Sequence, residues 1–206
     1  MKVVRVSDVP SGPSVGAPNW LPLRATLGLQ AFGLSGYRGG AGDTIVPRHS
    51  EKGGGAGQHQ ELYIVLSGRA TFEVEEEQFD APAGTLVLVE RGEVRHAVAE
   101  EPDTVVLAAG GRVGEAYEVA PWEYGSRAAY ARACGDIDEL DRITTEGIEK
   151  YGEHPTMLIG KACVEAQRGN DDVARKLLAR AYADPDVGEW AHDEAANEPL
   201  LDSVRD

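Results

Sequence analysis

A change of period near residue 120 constrains this 206-residue chain more than any other feature. Up to about Tyr117 the apolar residues come in short runs broken by glycine and proline: "LQAFGLSGY", "GDTIV", "ELYIVLSG", "ATFEVEEE", "APAGTLVLVE" and "DTVVLAAGG". Short alternating runs between turn signals predict β-strands. Many such strands bury their apolar faces by packing sheets together or closing a barrel, which also limits exposed edges. The pattern is clearest at Glu61–Ser67 and Thr85–Val89.

From about Trp122 the signals become helical. Residues 134–139, "CGDIDE", read as a stop glycine, an Asp cap and a Glu three residues on. The helix that follows would bury Ile137, Leu140, Ile143 and Ile148. Farther on, Val173, Leu177 and Ala181 step by four beside Ala174 and Leu178, an apolar stripe suited to core packing. The turn "ACGDID" recurs as "QRGNDD", with Gly135 and Gly169 separated by 34 residues, the tetratricopeptide period. The second unit resembles such a repeat in Ala162, Gly169, Ala174, Leu178 and Ala181; the first is degenerate, with Leu140 and Gly147 where small alanines are usual. We expect an all-β domain over 1–118 and a smaller all-α, tetratricopeptide-like domain over 119–206.

Charge removes several function classes. The formal net charge is -15, and both parts are acidic: residues 1–118 hold 10 basic and 16 acidic side chains, the remainder 10 and 19. Such a chain repels a polyanionic backbone and an anionic bilayer, so we expect neither nucleic acid nor membrane as a partner. The opening "MKVVRVSDVP" lacks the long apolar segment of an export signal, and no run approaches the roughly 20 apolar residues of a bilayer span. Cys134 and Cys163 fall in helical segments rather than in a spaced framework. The expectation is a cytoplasmic protein with reduced thiols.

The residues able to carry chemistry gather around "PRHSEKGGGAGQHQELYIVLSG", Pro47 to Gly68. His49 and Glu51 precede the glycine-rich segment Gly53–Gly57; His59, Glu61 and Tyr63 follow it. Alternate residues of a strand share a face, so His49 with Glu51, and His59 with Glu61 and Tyr63, are two inward-facing sets if these segments are extended. Each residue also has a plainer role: solvated loop positions for His49 and Glu51, a loop end for His59, and for Glu61 a pocket carboxylate paired with Arg95 or Arg48, since an unpaired buried charge is costly. His154 and His192 read as surface or helix-end residues. There is no GxSxG elbow, Walker loop, dinucleotide fingerprint or paired CxxC. The glycine segment, which precedes a strand rather than a helix, reads as a mobile loop.

Over roughly Gly42 to Ala109, "ELYIVLSG" followed by "ATFEVEEEQFDAPAGTLVLVERGEVRHAV" resembles the cupin family. The resemblance implies a small antiparallel jelly-roll barrel holding a metal and a small ligand. In metal-binding cupins the first motif has the form G(x)5HxH(x)3-4E(x)6G, and a second motif adds a histidine. Glu61, six residues before Gly68, matches the motif glutamate, and His96 lies near the second-motif histidine. Counting back from Glu61 reaches Gly54 and Ala56, or Gly55 and Gly57, none of which can ligate. An upstream alignment places His49-Ser50-Glu51 at the histidine pair, with the glycine segment as an insertion.

The ligand set so implied is His49, Glu51, Glu61 and His96, and the pocket His59, Glu61, Tyr63 and His96. Fe, Mn, Ni or Zn would suit it, and residue types alone do not choose among them. We expect a small-molecule-binding protein with an atypical or degraded metal site and a helical tail for self-association, as a homodimer, or for contact with a protein or peptide. A metal-dependent oxygenase or isomerase is the alternative, and a mainly structural or interaction protein the third.

Overall fold

A computed structural model describes residues 1–14, 17–52, 56–185 and 188–205, the side chains of 13, 14, 17 and 18 excepted. The chain forms two units, Met1–Trp122 and Glu123–Asp206. The first contains β1 (Gly12–Ser14), β2 (Ala17–Leu21), a short helix α1 (Leu23–Leu27), β3 (Gly33–Gly39), β4 (Thr44–His49), β5 (Gln60–Ser67), β6 (Arg69–Val74), β7 (Glu77–Pro82), β8 (Leu86–Val89), β9 (Arg95–Ala99) and β10 (Thr104–Gly111). These strands make two antiparallel sheets, one in the order β1-β2-β3-β10-β5-β8 and the other β4-β9-β6-β7. The unit is therefore a β-sandwich; among the described residues no strand pairing joins the two sheets into the closed barrel that the sequence suggested.

Alternation builds the interior. Tyr63 and Val65 of β5, Val87 and Val89 of β8, Ala70 and Phe72 of β6, Ala97 and Ala99 of β9 all point inward and are buried, while their neighbours face outward. Tyr63 and Phe72 bridge the layers with ring centroids 5.6 Å apart. The outer face of the larger sheet is unusually apolar at β5 and β8, where Leu66, Leu86 and Leu88 are 49%, 64% and 60% exposed.

The second unit contains α2 (Pro121–Cys134, whose first residues belong to the first unit), α3 (Ile137–Tyr151), α4 (Pro155–Gln167), α5 (Asp171–Tyr182), α6 (Gly188–Ala196) and a 3-10 turn (Pro199–Val204). The α2–α3 and α4–α5 turns are built alike. Asp136 N–H bonds to Ala131 O and Gly135 N–H to Arg132 O; 34 residues on, Asn170 N–H bonds to Glu165 O and Gly169 N–H to Ala166 O. Both glycines have positive φ, 67° and 78°, as this helix stop requires. Packing is close: a Cβ on Gly160 of α4 would meet Thr144 Cγ2 of α3 at 2.7 Å. α4 packs against α3, α5, α6 and the 3-10 turn, burying Leu158, Ile159, Ala162 and Cys163. Leu158, Ile159 and Leu178 are thus covered within one chain, whereas Val173 stays 45% exposed. No described helix is long and apolar enough to cross a membrane.

Candidate metal centre

The interior of the sandwich is not wholly apolar. At one end His49, Glu51 and Glu61 converge, each offering a donor atom, with all three atoms within 4.8 Å of one another. His49 Nε2 lies 3.7 Å from Glu51 Oε1 and 3.8 Å from Glu61 Oε2. His59 Nδ1 is 4.0 Å from Glu51 Oε2, and the His59 backbone N–H donates to that oxygen at 3.3 Å.

Backbone geometry explains the convergence. On β4 the pairing with β9 runs Val46 to Ala97 and then His49 to Arg95, three residues against two. This bulge reverses parity, so His49 joins Val46 on the inner side although their positions differ by three. Glu51 is pinned just beyond the strand by its backbone N–H to Arg91 O, 3.1 Å. Glu61 and Tyr63 come from β5 in the other sheet, where the two-residue period carries both inward. Gly57 lets the chain pass over His59: a Cβ there would sit 2.3 Å from the imidazole Cε1. Gly110 of β10 similarly admits Glu61, whose Cγ would be 3.0 Å from an added Cβ.

The electrostatics keep Glu61 ionised. Burial would raise its pKa, but contact with His49, a 2.6 Å hydrogen bond from Tyr63 OH and the charge of Arg95 outweigh burial and hold it below the ordinary value. Burial would lower His49, yet Glu61 and the Pro47 carbonyl raise it overall. Tyr63 is pushed well above 10.0 by burial and then by Glu61, so it stays protonated as a donor. His49 Nδ1 lies 2.6 Å from Pro47 O, and a carbonyl can only accept, so Nδ1 carries the proton. In the neutral ring this leaves the Nε2 lone pair facing the two carboxylates, the tautomer of a metal ligand braced from behind.

Donors of one ion at about 2.0 to 2.3 Å lie at most roughly 4.0 to 4.6 Å apart. The two His49 separations meet this limit, and the 4.8 Å span of the set is within a small side-chain rotation of it. The residues present therefore fit a divalent cation.

His96 does not join them. Its strand neighbours Arg95 and Ala97 are buried, so period two turns His96 to the outer side of β9, opposite Glu73 of β6. Arg95 takes the interior position expected for His96. It stands opposite His49 in the sheet, with Nε 3.8 Å from Glu61 Oε2. Arg48, the other cation considered for Glu61, pairs instead with Glu73. His59 and Tyr63 do line the same interior, with His59 also against the Tyr117 ring at 5.6 Å. His154 caps α4, accepting from Thr156 N–H, and His192 is exposed. Residues 53–55 of the glycine segment, for which mobility was expected, lie outside the described residues.

No protein-family model matches the chain, and no curated protein matches it. Among solved structures, the N-terminal part is similar to cupin proteins. KdgF from Halomonas sp. is 20% identical with a TM-score of 0.35, covering 41% of this chain and 73% of that one. A predicted oxalate decarboxylase from Thermotoga maritima is 17% identical at TM-score 0.43, covering 54% and 100%. A cupin protein from Bacteroides fragilis is 21% identical at TM-score 0.40, covering 59% and 95%.

Proposed function

We propose that the chain is a cupin-type protein whose β unit holds a divalent transition metal on His49, Glu51 and Glu61 and binds a small molecule beside it. The observation that carries this is the set of three donors, two of them buried carboxylates, gathered within 4.8 Å. One imidazole and two carboxylates form an oxygen-rich set, which suits Mn(II) or Fe(II) better than a thiolate-seeking ion. Three protein donors leave coordination positions open, so the bound ion would act as a Lewis acid toward a ligand oxygen. The chain's own part is to keep Glu61 ionised, to fix the His49 tautomer through Pro47, and to hold Tyr63 as a proton donor. Metal analysis of protein purified without chelator tests the reading. One equivalent that survives dialysis, and is lost in Glu61→Gln, supports it; no retained metal and no Mn(II) binding would refute it.

The helical unit is, in this reading, a tetratricopeptide-like module for self-association or partner contact, supported by the 34-residue repetition of its turn bonds. The exposed leucines of β5 and β8 support a homodimer. Light scattering over a concentration range checks this, and a monomer throughout would refute it. The acidic charge and reduced cysteines suit a cytoplasmic protein.

A further inference from the structure

We propose that Tyr117, in the connection that follows β10, decides which ligands reach the site: its ring occupies a flat slot beside Glu61 that a small planar, hydroxyl-bearing ring claims by displacing it. This rests on the metal-and-ligand reading above. Gly33, Gly110 and Glu61 stand opposite one another on β3, β10 and β5, so all three present the same, inner face. Glycine inside a strand weakens it and marks a close approach. Two side chains make that approach here. A Cβ on Gly110 would meet His59 Cβ at 3.3 Å and Glu61 Cγ at 3.0 Å, and one on Gly33 would lie 3.2 Å from both Cε2 and the hydroxyl oxygen of Tyr117. The rings of His59 and Tyr117 have centroids 5.6 Å apart at a tilt of 40°. His59 in turn faces Glu51, its Nδ1 4.0 Å from Oε2, so the two rings lead to the metal donors.

The two rings are held differently. His59 is buried between Gly57 and Glu51. Tyr117 is half-buried and comes from no strand: residues 113–116 and 118 around it are exposed, and Gly114 turns the chain at φ 78° with open space about it. The connection is tied at its start, where Arg112 Nε donates to Gly57 O at 3.0 Å. Such a segment opens locally at less cost than a strand within a sheet. Covering Gly33 would by itself explain an aromatic ring there; a fixed cover would come from a neighbouring strand, however, and this one is carried by an exposed turn. A site open roughly a tenth of the time binds about tenfold more weakly than one always open, so a displaceable ring admits only ligands that replace its contacts.

The test is a titration of the full chain with 4-fluorophenol, read by its fluorine resonance. Tyr117→Ala should bind the probe about tenfold more tightly than wild type. Tyr117→Phe, which keeps the ring, should match wild type, and Arg112→Met, which frees the connection but leaves the ring, should fall between wild type and Tyr117→Ala. A mere cover would give Tyr117→Ala lower stability and no gain in binding. Gly33 lies two strand spacings, roughly 10 Å, from Glu61, so Mn(II) held at the centre should broaden the fluorine line of probe bound to Tyr117→Ala. Circular dichroism establishes that each variant is folded; if Tyr117→Ala is not, Arg112→Met against wild type decides. Affinity no greater in the deciding variant than in wild type overturns the gate and leaves the metal reading standing, as does an unbroadened line in protein that holds Mn(II). Absence of Mn(II) binding overturns the metal reading, and the affinities still decide the gate.

Discussion

Each unit buries an arginine, and the two are treated differently. In the helical unit Arg132 meets Glu194 at 2.6 Å and Glu198 at 3.2 Å. Its side chain is 8% exposed, and Cys163 nearby is pushed up to about 12 by burial, an inert thiol. In the β unit Arg95 has one carboxylate within reach, at 3.8 Å, and that carboxylate is shared with His49 and Tyr63. The first cluster brings its charges into contact, with Arg132 Nη2 donating to Glu194, although Nε and Nη1 of Arg132, like those of Arg95, have no hydrogen-bond partner among the described residues. The second spaces its charges at 3.7 to 4.0 Å, too far for hydrogen bonds and suited to something lying between them. Charges in direct contact, as around Arg132, serve the fold; charges held apart, as around Glu61, suit a site.

Replacing the two arginines separates these roles most strongly. Arg132→Met strands Glu194 and Glu198, and should cost about 3 kcal/mol, less than a fully buried pair because Glu194 is partly exposed. Arg95→Met should cost less in urea unfolding, since it removes a distant pair and one hydrogen bond to the Glu90 carbonyl. Equal losses would erase the distinction. Next in size is the metal itself: at about 100 times its dissociation constant an ion adds roughly 2.7 kcal/mol to wild type. His49→Ala, Glu51→Gln and Glu61→Gln should each lose most of that gain in a thermal shift, whereas His96→Ala, on the outer face, should keep it.

A smaller effect should follow from Gly57→Ala, whose added methyl meets His59 at 2.3 Å. Displacing the ring should cost about 1 to 3 kcal/mol and weaken metal binding, both measurable by melting with and without Mn(II). The smallest effect is in pH. Glu61 is held below 4.5, so its contribution is present above 4.5 and lost as pH falls through the folded value. His49 is raised above 6.5, so its contribution is present below 6.5 and lost as pH rises through the folded value. Metal-free wild type should therefore gain most from this pair between 4.5 and 6.5, relative to His49→Gln. Excess Mn(II) should reverse the trend, because the ion competes with the His49 proton.

Much of the fold was legible because burial imposes a period. The strand pattern of Glu61–Ser67 and the paired glycine stops at 135 and 169 are local signals, and the structure places strands and helix ends there. Glu61 and Tyr63 were legible for the same reason, sharing parity on an unbroken strand. His49 reached the interior through a bulge, which a sequence period does not record. His96 failed by one residue: a slip of one turns every side chain of a strand over, and the small buried Ala97 and Ala99 were the signal that Arg95, not His96, points inward. The division into two sheets rather than a closed barrel depends on long-range pairing that no short stretch specifies.

The separated charges of the β unit are spaced to surround an ion. Anomalous scattering from a crystal of the protein grown with Mn(II), recorded near the manganese absorption edge, decides this. A single strong peak is expected, bounded by His49 Nε2, Glu51 and Glu61 at about 2.0 to 2.3 Å from each. A map without a peak there, or with manganese only at surface carboxylates, would contradict it.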